Sequence, residues 1–248
     1  MPSFEHKDGE AEASEAVEKG EEQKIETMPI SKEFLARFFT SSVFLNAMRE
    51  TVEKVNKFQG REFGFAIFKD VNADTILISD PIAGEYENVT AIGEAIREVR
   101  EKLQEERRGK TFIVMGTLHF HSLLGKDPII IPSGSEGDLG VTAAMRYENF
   151  LRLRRDTLAI EMIAARTTSR ETKILVYQEP LRYTPASLPA SFEEVDKALD
   201  RVRTQEEVLE VLREGGYKVS IVKTRNGTFT REGLADLQSF EVMGPSVT

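Results

Sequence analysis

The 248-residue sequence predicts an α/β (α+β) fold: a mixed β-sheet flanked by helices, followed by a C-terminal α/β extension. Three observations predict it. Asn88–Arg108 keeps Ile92, Ile96, Val99 and Leu103 on one face among Glu, Lys and Arg, the pattern of an amphipathic helix. Thr111–Leu118 (TFIVMGTL) is a continuous apolar run, typical of a strand buried on both faces. Shorter β-rich and helical stretches alternate on either side of these two.

Residues 1–26 hold nine acids against three lysines, which places −6 of the chain's net charge of −9 at its start. With almost no large apolar residue, such a stretch cannot offset its ordering entropy, so residues 1–27 are expected to be a disordered acidic tail. Order is expected from Met28. Ser31–Phe39 (SKEFLARFF) reads as a strand or the start of a helix, and Ser41–Lys57 carries a helical stripe of Val43, Leu45, Met48, Val52 and Val55. Phe58-Gln59-Gly60 ends it. Glu62–Lys69 (EFGFAIFK) and Thr75–Pro81 (TILISDP) read as strands joined by a hairpin loop over Asp70–Asp74.

The buried run Thr111–Leu118 leads into His119-Phe120-His121, then into a loop over Ser122–Gly137 rich in Gly, Pro and Ser. Asp138 opens a helix that ends near Arg155. Thr157–Arg166 and Thr172–Gln178 form two strands around the turn Thr168–Glu171. A domain over 28–180 is expected to end here, with 181–248 as the extension. In it, Ser191…Glu194 and Thr204…Glu207 have capping-box spacing before short helices, Gly215-Gly216 stops the second, and Tyr217–Lys223 is a last strand.

Composition excludes several function classes. No apolar run approaches the ~20 residues needed to cross a bilayer, and the acidic N-terminus is no secretory signal. Without cysteine there is neither disulfide nor thiol chemistry, which fits a cytoplasmic protein. The nearly balanced charge of residues 27–248 gives no electrostatic case for nucleic acid. Arg146, Arg152, Arg154 and Arg155 are expected on a solvated face at the end of the Asp138 helix. Walker A, GxGxxG and GxSxG motifs are absent.

Chemistry concentrates at the histidines. Of three in the chain, His6 lies in the tail, while His119 and His121 sit two apart on a strand, so both side chains point one way and can converge on one ion. With no further histidine and no cysteine, any added protein ligand must be a carboxylate. Asp138 is suited to capping its helix, but a carboxylate there can also reach back towards the strand. Two imidazoles and one carboxylate leave a fourth tetrahedral position for water, the open arrangement of catalytic zinc (Zn2+).

With Glu62 in REFGFAIF, His119 and His121 in GTLHFHS, and Ser135 and Asp138 in PSGSEGDL, the sequence resembles the JAMM/MPN-domain zinc metalloproteases, which include isopeptidases acting on ubiquitin and ubiquitin-like proteins. The resemblance spans roughly Ser31 to Gln178. It implies the layering of that family, similar to cytidine deaminases, with His119, His121 and Asp138 binding zinc. It further implies Glu62 as the base that activates water, Ser135 as an oxyanion donor, and a ubiquitin-like or sulfur-carrier protein conjugate as partner and substrate. Two departures stand out. Ser122 replaces the usual Pro, and the stretch Leu123–Ile131 lengthens the spacing to Ser135, which leaves Ser133 as a rival for the oxyanion role. Ile129-Ile130-Ile131 is open to four readings: a packed loop strand, a substrate flap, a lid, or a contact in a homo-oligomer. Two other functions compete with hydrolysis: a non-catalytic MPN-like scaffold with a closed site, and an Fe(II) oxygenase using a two-His, one-carboxylate triad.

Overall fold

A computed structural model describes residues 27–29, 32–58, 61–71, 75–84, 90–108, 110–134, 137–153, 159–167, 171–179, 191–225, 228–240 and 243–245. Apart from Thr27, the expected acidic tail lies outside them. In chain order the elements are β1 (Thr27–Pro29), α1 (Lys32–Phe39), α2 (Ser42–Lys57), β2 (Phe63–Asp70), β3 (Ile76–Ile78), β4 (Ile82–Ala83), α3 (Thr90–Glu106), β5 (Phe112–Gly125) and α4 (Asp138–Leu153). They continue with β6 (Ile160–Thr167), β7 (Glu171–Gln178), α5 (Ser191–Leu199), α6 (Gln205–Glu214), β8 (Lys218–Arg225), β9 (Thr228–Phe229), α7 (Arg231–Ser239) and β10 (Met243–Pro245).

A mixed sheet flanked by helices organises the chain. Its strands run in the order β3-β2-β5-β6-β7-β8-β9, with β4 also on β2, while β1 and β10 form a separate pair. Among the described strands of this sheet only β5 and β6 are parallel; the other pairs are antiparallel. The C-terminal third is built into the same sheet, since β8 pairs with β7 from Glu171↔Arg225 to Gln178↔Lys218.

Alternation along the strands separates two apolar faces. One side packs Phe63, Phe65, Leu118, Phe120 and Met162 against Leu35 and Phe39 of α1, Phe44 and Met48 of α2, and Leu237 of α7. Phe39, Phe44 and Phe229 meet there at ring-centroid distances of 5.1–6.1 Å, separations at which aromatic rings attract. The other side carries two clusters. Ala66, Phe68 and Val114 pack on Ile96 of α3 and Met145 of α4. Ile163, Leu175 and Tyr177 pack on Leu139 of α4 and on Val195, Leu199, Val208 and Leu212 of α5 and α6. Helix α4 therefore bridges the two clusters, and its polar residues lie over the seam between them.

One open reading is resolved and two expectations change. Ser31–Phe39 forms a helix from Lys32, closed against α2 by the aromatic cluster. The second strand of the hairpin stops at Ile78: Ser79 Oγ accepts the Ala66 N–H at 3.0 Å, and Pro81 has no N–H to continue the ladder. The strand expected to end at Leu118 runs on to Gly125, so the His-x-His triplet lies within it and the loop is shorter than 122–137. Ladder pairing is nevertheless interrupted at the triplet. The antiparallel register with β2 ends at Phe63↔Phe120, and the parallel register with β6 jumps from Phe120↔Ala164 to Leu124↔Arg166. His121 thus sits where β5 bulges away from its neighbours, a device that redirects side chains beside functional sites.

Candidate metal centre

His119 and His121 share the α4 side of β5, with ring centroids 5.1 Å apart. Across the antiparallel ladder His119 faces Gly64. A Cβ at residue 64 would lie 2.7 Å from His119 Cβ and 2.6 Å from the Leu118 carbonyl oxygen, so the close approach of β2 to β5 at His119 needs glycine there. One register step beyond Phe63 brings Glu62 beside His121, and the Glu62 carbonyl, accepting from Gly84 N at 2.9 Å, fixes its backbone. One ligand atom each from Glu62, His119 and His121 lie within 4.8 Å of one another, so these three residues can hold a metal ion.

Asp138, the first residue of α4, closes the arrangement from above. Its Oδ1 lies 3.0 Å from His119 Nε2 and its Oδ2 lies 3.3 Å from His121 Nε2. Side-chain exposure falls from 14% at His121 to 8% at His119 and 0% at Asp138, so the cluster is deep at one end and reachable at the other. Burial alone would raise the Asp138 carboxyl, but the two imidazoles outweigh it and hold the group far below the ordinary carboxylate range. At His119 burial opposes the imidazolium, but Asp138, then Glu62 and Glu161, more than offset it and raise the pKa above 6.5.

Two buried atoms at the centre, His119 Nε2 and Asp138 Oδ1, face each other without an aligned hydrogen bond. Buried polar atoms are rarely left so. A nitrogen and a carboxylate oxygen directed at one point, with a second imidazole and Glu62 alongside, suit a divalent cation of the kind that takes N and O donors.

Ser135 lies outside the described residues. Ser133 is exposed, and it is engaged with Asp138: its N–H donates to Asp138 Oδ2 at 2.8 Å and its Oγ accepts from Asp138 N at 2.8 Å. That exchange caps α4 and orients the carboxylate, and it uses the Ser133 hydroxyl only as an acceptor.

Four residues of the seam escaped the sequence reading. Asn149 clamps α4 to β5 through Val114, accepting from its N–H at 3.2 Å and donating to its carbonyl at 2.9 Å. Thr117, paired in register with Glu161, donates its hydroxyl to Glu161 Oε2, while Oε1 of that buried carboxylate has no hydrogen-bond partner. Burial, with Glu179 and Asp138 adding to it, pushes Glu161 up to about 8 against the pull of Thr117 and His119. Gly64 is the fourth. A glycine within an apolar strand and a lone acid in IEMIAA are the signals that mark Gly64 and Glu161. Arg146, expected on a solvated face, is instead buried with Nη1 3.2 Å from Glu179 Oε2, because it follows Asp138 and Thr142 at four-residue intervals on the inner face of α4. Arg154 and Arg155 lie outside the described residues.

No protein-family model and no curated protein matches this chain. No helix among the described residues is long and apolar enough to cross a membrane.

Proposed function

We propose that this chain is a zinc-dependent hydrolase of amide or isopeptide bonds, a JAMM/MPN-like metallopeptidase acting on a conjugate of a ubiquitin-like or sulfur-carrier protein. The observation that carries the reading is the convergence of Glu62, His119 and His121 under the two oxygens of Asp138. His119, His121 and Asp138 are the ligands in this reading, and the graded burial supports it: the deep donors hold the ion while the partly exposed side admits substrate. When bound, zinc polarises a carbonyl and lowers the pKa of water towards ~7.

The remaining work falls to the chain. Glu62, beside both imidazoles and only partly buried, takes the proton of the attacking water and returns it to the leaving amine. Ser135 is the oxyanion donor by resemblance alone. Its rival Ser133 accepts from the Asp138 N–H through Oγ and keeps its hydroxyl proton to donate. A ubiquitin-like substrate presents a thin C-terminal tail that can lie along a strand by β-addition.

Hydrolysis of a ubiquitin-like C-terminal fusion by the zinc-loaded chain tests this reading, with Glu62→Gln as comparison. Loss of turnover by 10²-fold or more with zinc retained supports a base at Glu62. Equal, negligible turnover by both proteins favours the closed MPN-like scaffold, for which the deep burial of His119 and Asp138 speaks. Two imidazoles and Glu62 are also the donor set of an Fe(II) facial triad, so the identity of the native metal separates hydrolase from oxygenase.

A further inference from the structure

We infer that Gln205, in the C-terminal third, is a positioning residue of the metal centre, acting through the loop that delivers Asp138. The inference rests on the metal-binding reading above and adds to it a residue remote from the ligands in sequence. Gln205 is the first residue of α6, set by the capping box between Thr204 and Glu207. Its buried amide grips the Ile130 backbone at both ends: Oε1 accepts from Ile130 N at 2.9 Å, and Nε2 donates to the Ile130 carbonyl at 3.1 Å. The side chain thus takes the place of a neighbouring strand for one residue of a loop that has none.

From Ile130 the path to the metal ligand is short and stiff. Ile130 itself is fully buried among α5 and α6. Pro132, also buried, fixes its own φ. Ser133 then takes Asp138 by the reciprocal pair already described. Gly134 lies under the Asp196 side chain of α5, whose Oδ1 would be 1.7 Å from a Cβ there. On the far side of the ligand, Leu139 is buried in the same cluster as Val195, Leu199, Val208 and Leu212. Asp138 is therefore held from both sides by helices that follow it in the chain. The Ile129–Ile131 stretch, open to four readings from sequence, is in this structure the anchor of that loop: Ile130 is wholly buried and Ile129 and Ile131 pack against the same cluster.

Zinc titration of the full chain against a chromophoric chelator at pH 7.5, well below the unfolding temperature, tests the inference. Gln205→Met keeps the size of the side chain and removes both hydrogen bonds, and Gln205→Glu keeps the acceptor but loses the donor. Gln205→Met is expected to bind zinc about 10-fold more weakly or worse, and Gln205→Glu to fall between it and wild type. Leu237→Ala, in the core on the opposite face of the sheet, serves as a destabilised control that lowers Tm without touching the loop. If folded Gln205→Met and Gln205→Glu bind zinc within twofold of wild type, or if Leu237→Ala loses as much affinity as they do, Gln205 has no positioning role. Should Gln205→Met fail to fold, Gln205→Glu against Leu237→Ala decides alone. A wild-type chain that binds no zinc defeats the metal reading itself, a result distinct from equal binding by wild type and variants.

Discussion

Gly64 stands opposite His119 across the β2–β5 ladder, so close that only a residue without a Cβ lets the two strands approach there. The nearest atoms include the Leu118 carbonyl and the His119 Cα, which cannot swing aside as a flexible side chain would. Gly64→Ala is therefore expected to lower stability by about 1–3 kcal/mol through overpacking and to weaken metal binding by displacing a ligand. Denaturant unfolding and zinc titration check it; unchanged zinc affinity would mean that His119 does not need this space.

Proton competition sets the pH dependence of metal binding. The carboxylates around His119 raise its pKa above 6.5, and a ligating imidazole must be neutral. Zinc affinity is expected to decline with falling pH from an onset above 6.5, and Asp138→Asn, which removes the largest of the raising causes, should move that onset down while weakening binding at high pH. In the metal-free protein the same shift contributes stability that is fully present below 6.5 and is lost as pH rises through the raised folded value. An onset unmoved by Asp138→Asn contradicts the pairing.

Glu161 gives a second pH signature. Its folded pKa is pushed up to about 8 from 4.5, chiefly by burial, so the folded state holds a proton that the unfolded chain has released. That contribution to stability is complete below 4.5 and is lost as pH rises towards 8. Between pH 5 and 8 the wild type should lose about 2 kcal/mol or more relative to Glu161→Gln, which cannot ionise, a difference of roughly 4–8 °C in Tm for a chain of this size. Parallel Tm curves for the two proteins would show that Glu161 ionises freely in the fold.

Periodicity carried the fold far in this chain. The stripes of Ser41–Lys57 and Asn88–Arg108 and the apolar run at Thr111 became α2, α3 and β5, because burial of one face or both leaves a local pattern. The Thr204 capping box is present as read. Less legible was whatever depends on partners distant in the chain. The aromatic run at Phe38-Phe39 reads equally as strand or helix until α2 and Phe229 enclose it. Arg146 looks solvated until Glu179 is brought beside it. At the site, strand alternation was enough to aim His119 and His121 together, and Asp138 does reach back to both. The sequence cannot show that Gly64 lets β2 approach His119 so closely, that Ser133 bonds Asp138, or that Gln205 holds the loop, since each spans elements joined only by the tertiary fold.

The central claim is a metal ion held at His119 and His121, and metal analysis tests it most directly. Protein purified without added metal, then measured by inductively coupled plasma mass spectrometry, is expected to carry zinc near one equivalent per chain in wild type and far less in His119→Ala. Iron in place of zinc would shift the reading to the oxygenase. No bound metal in wild type, or the same metal content in His119→Ala, would contradict the account.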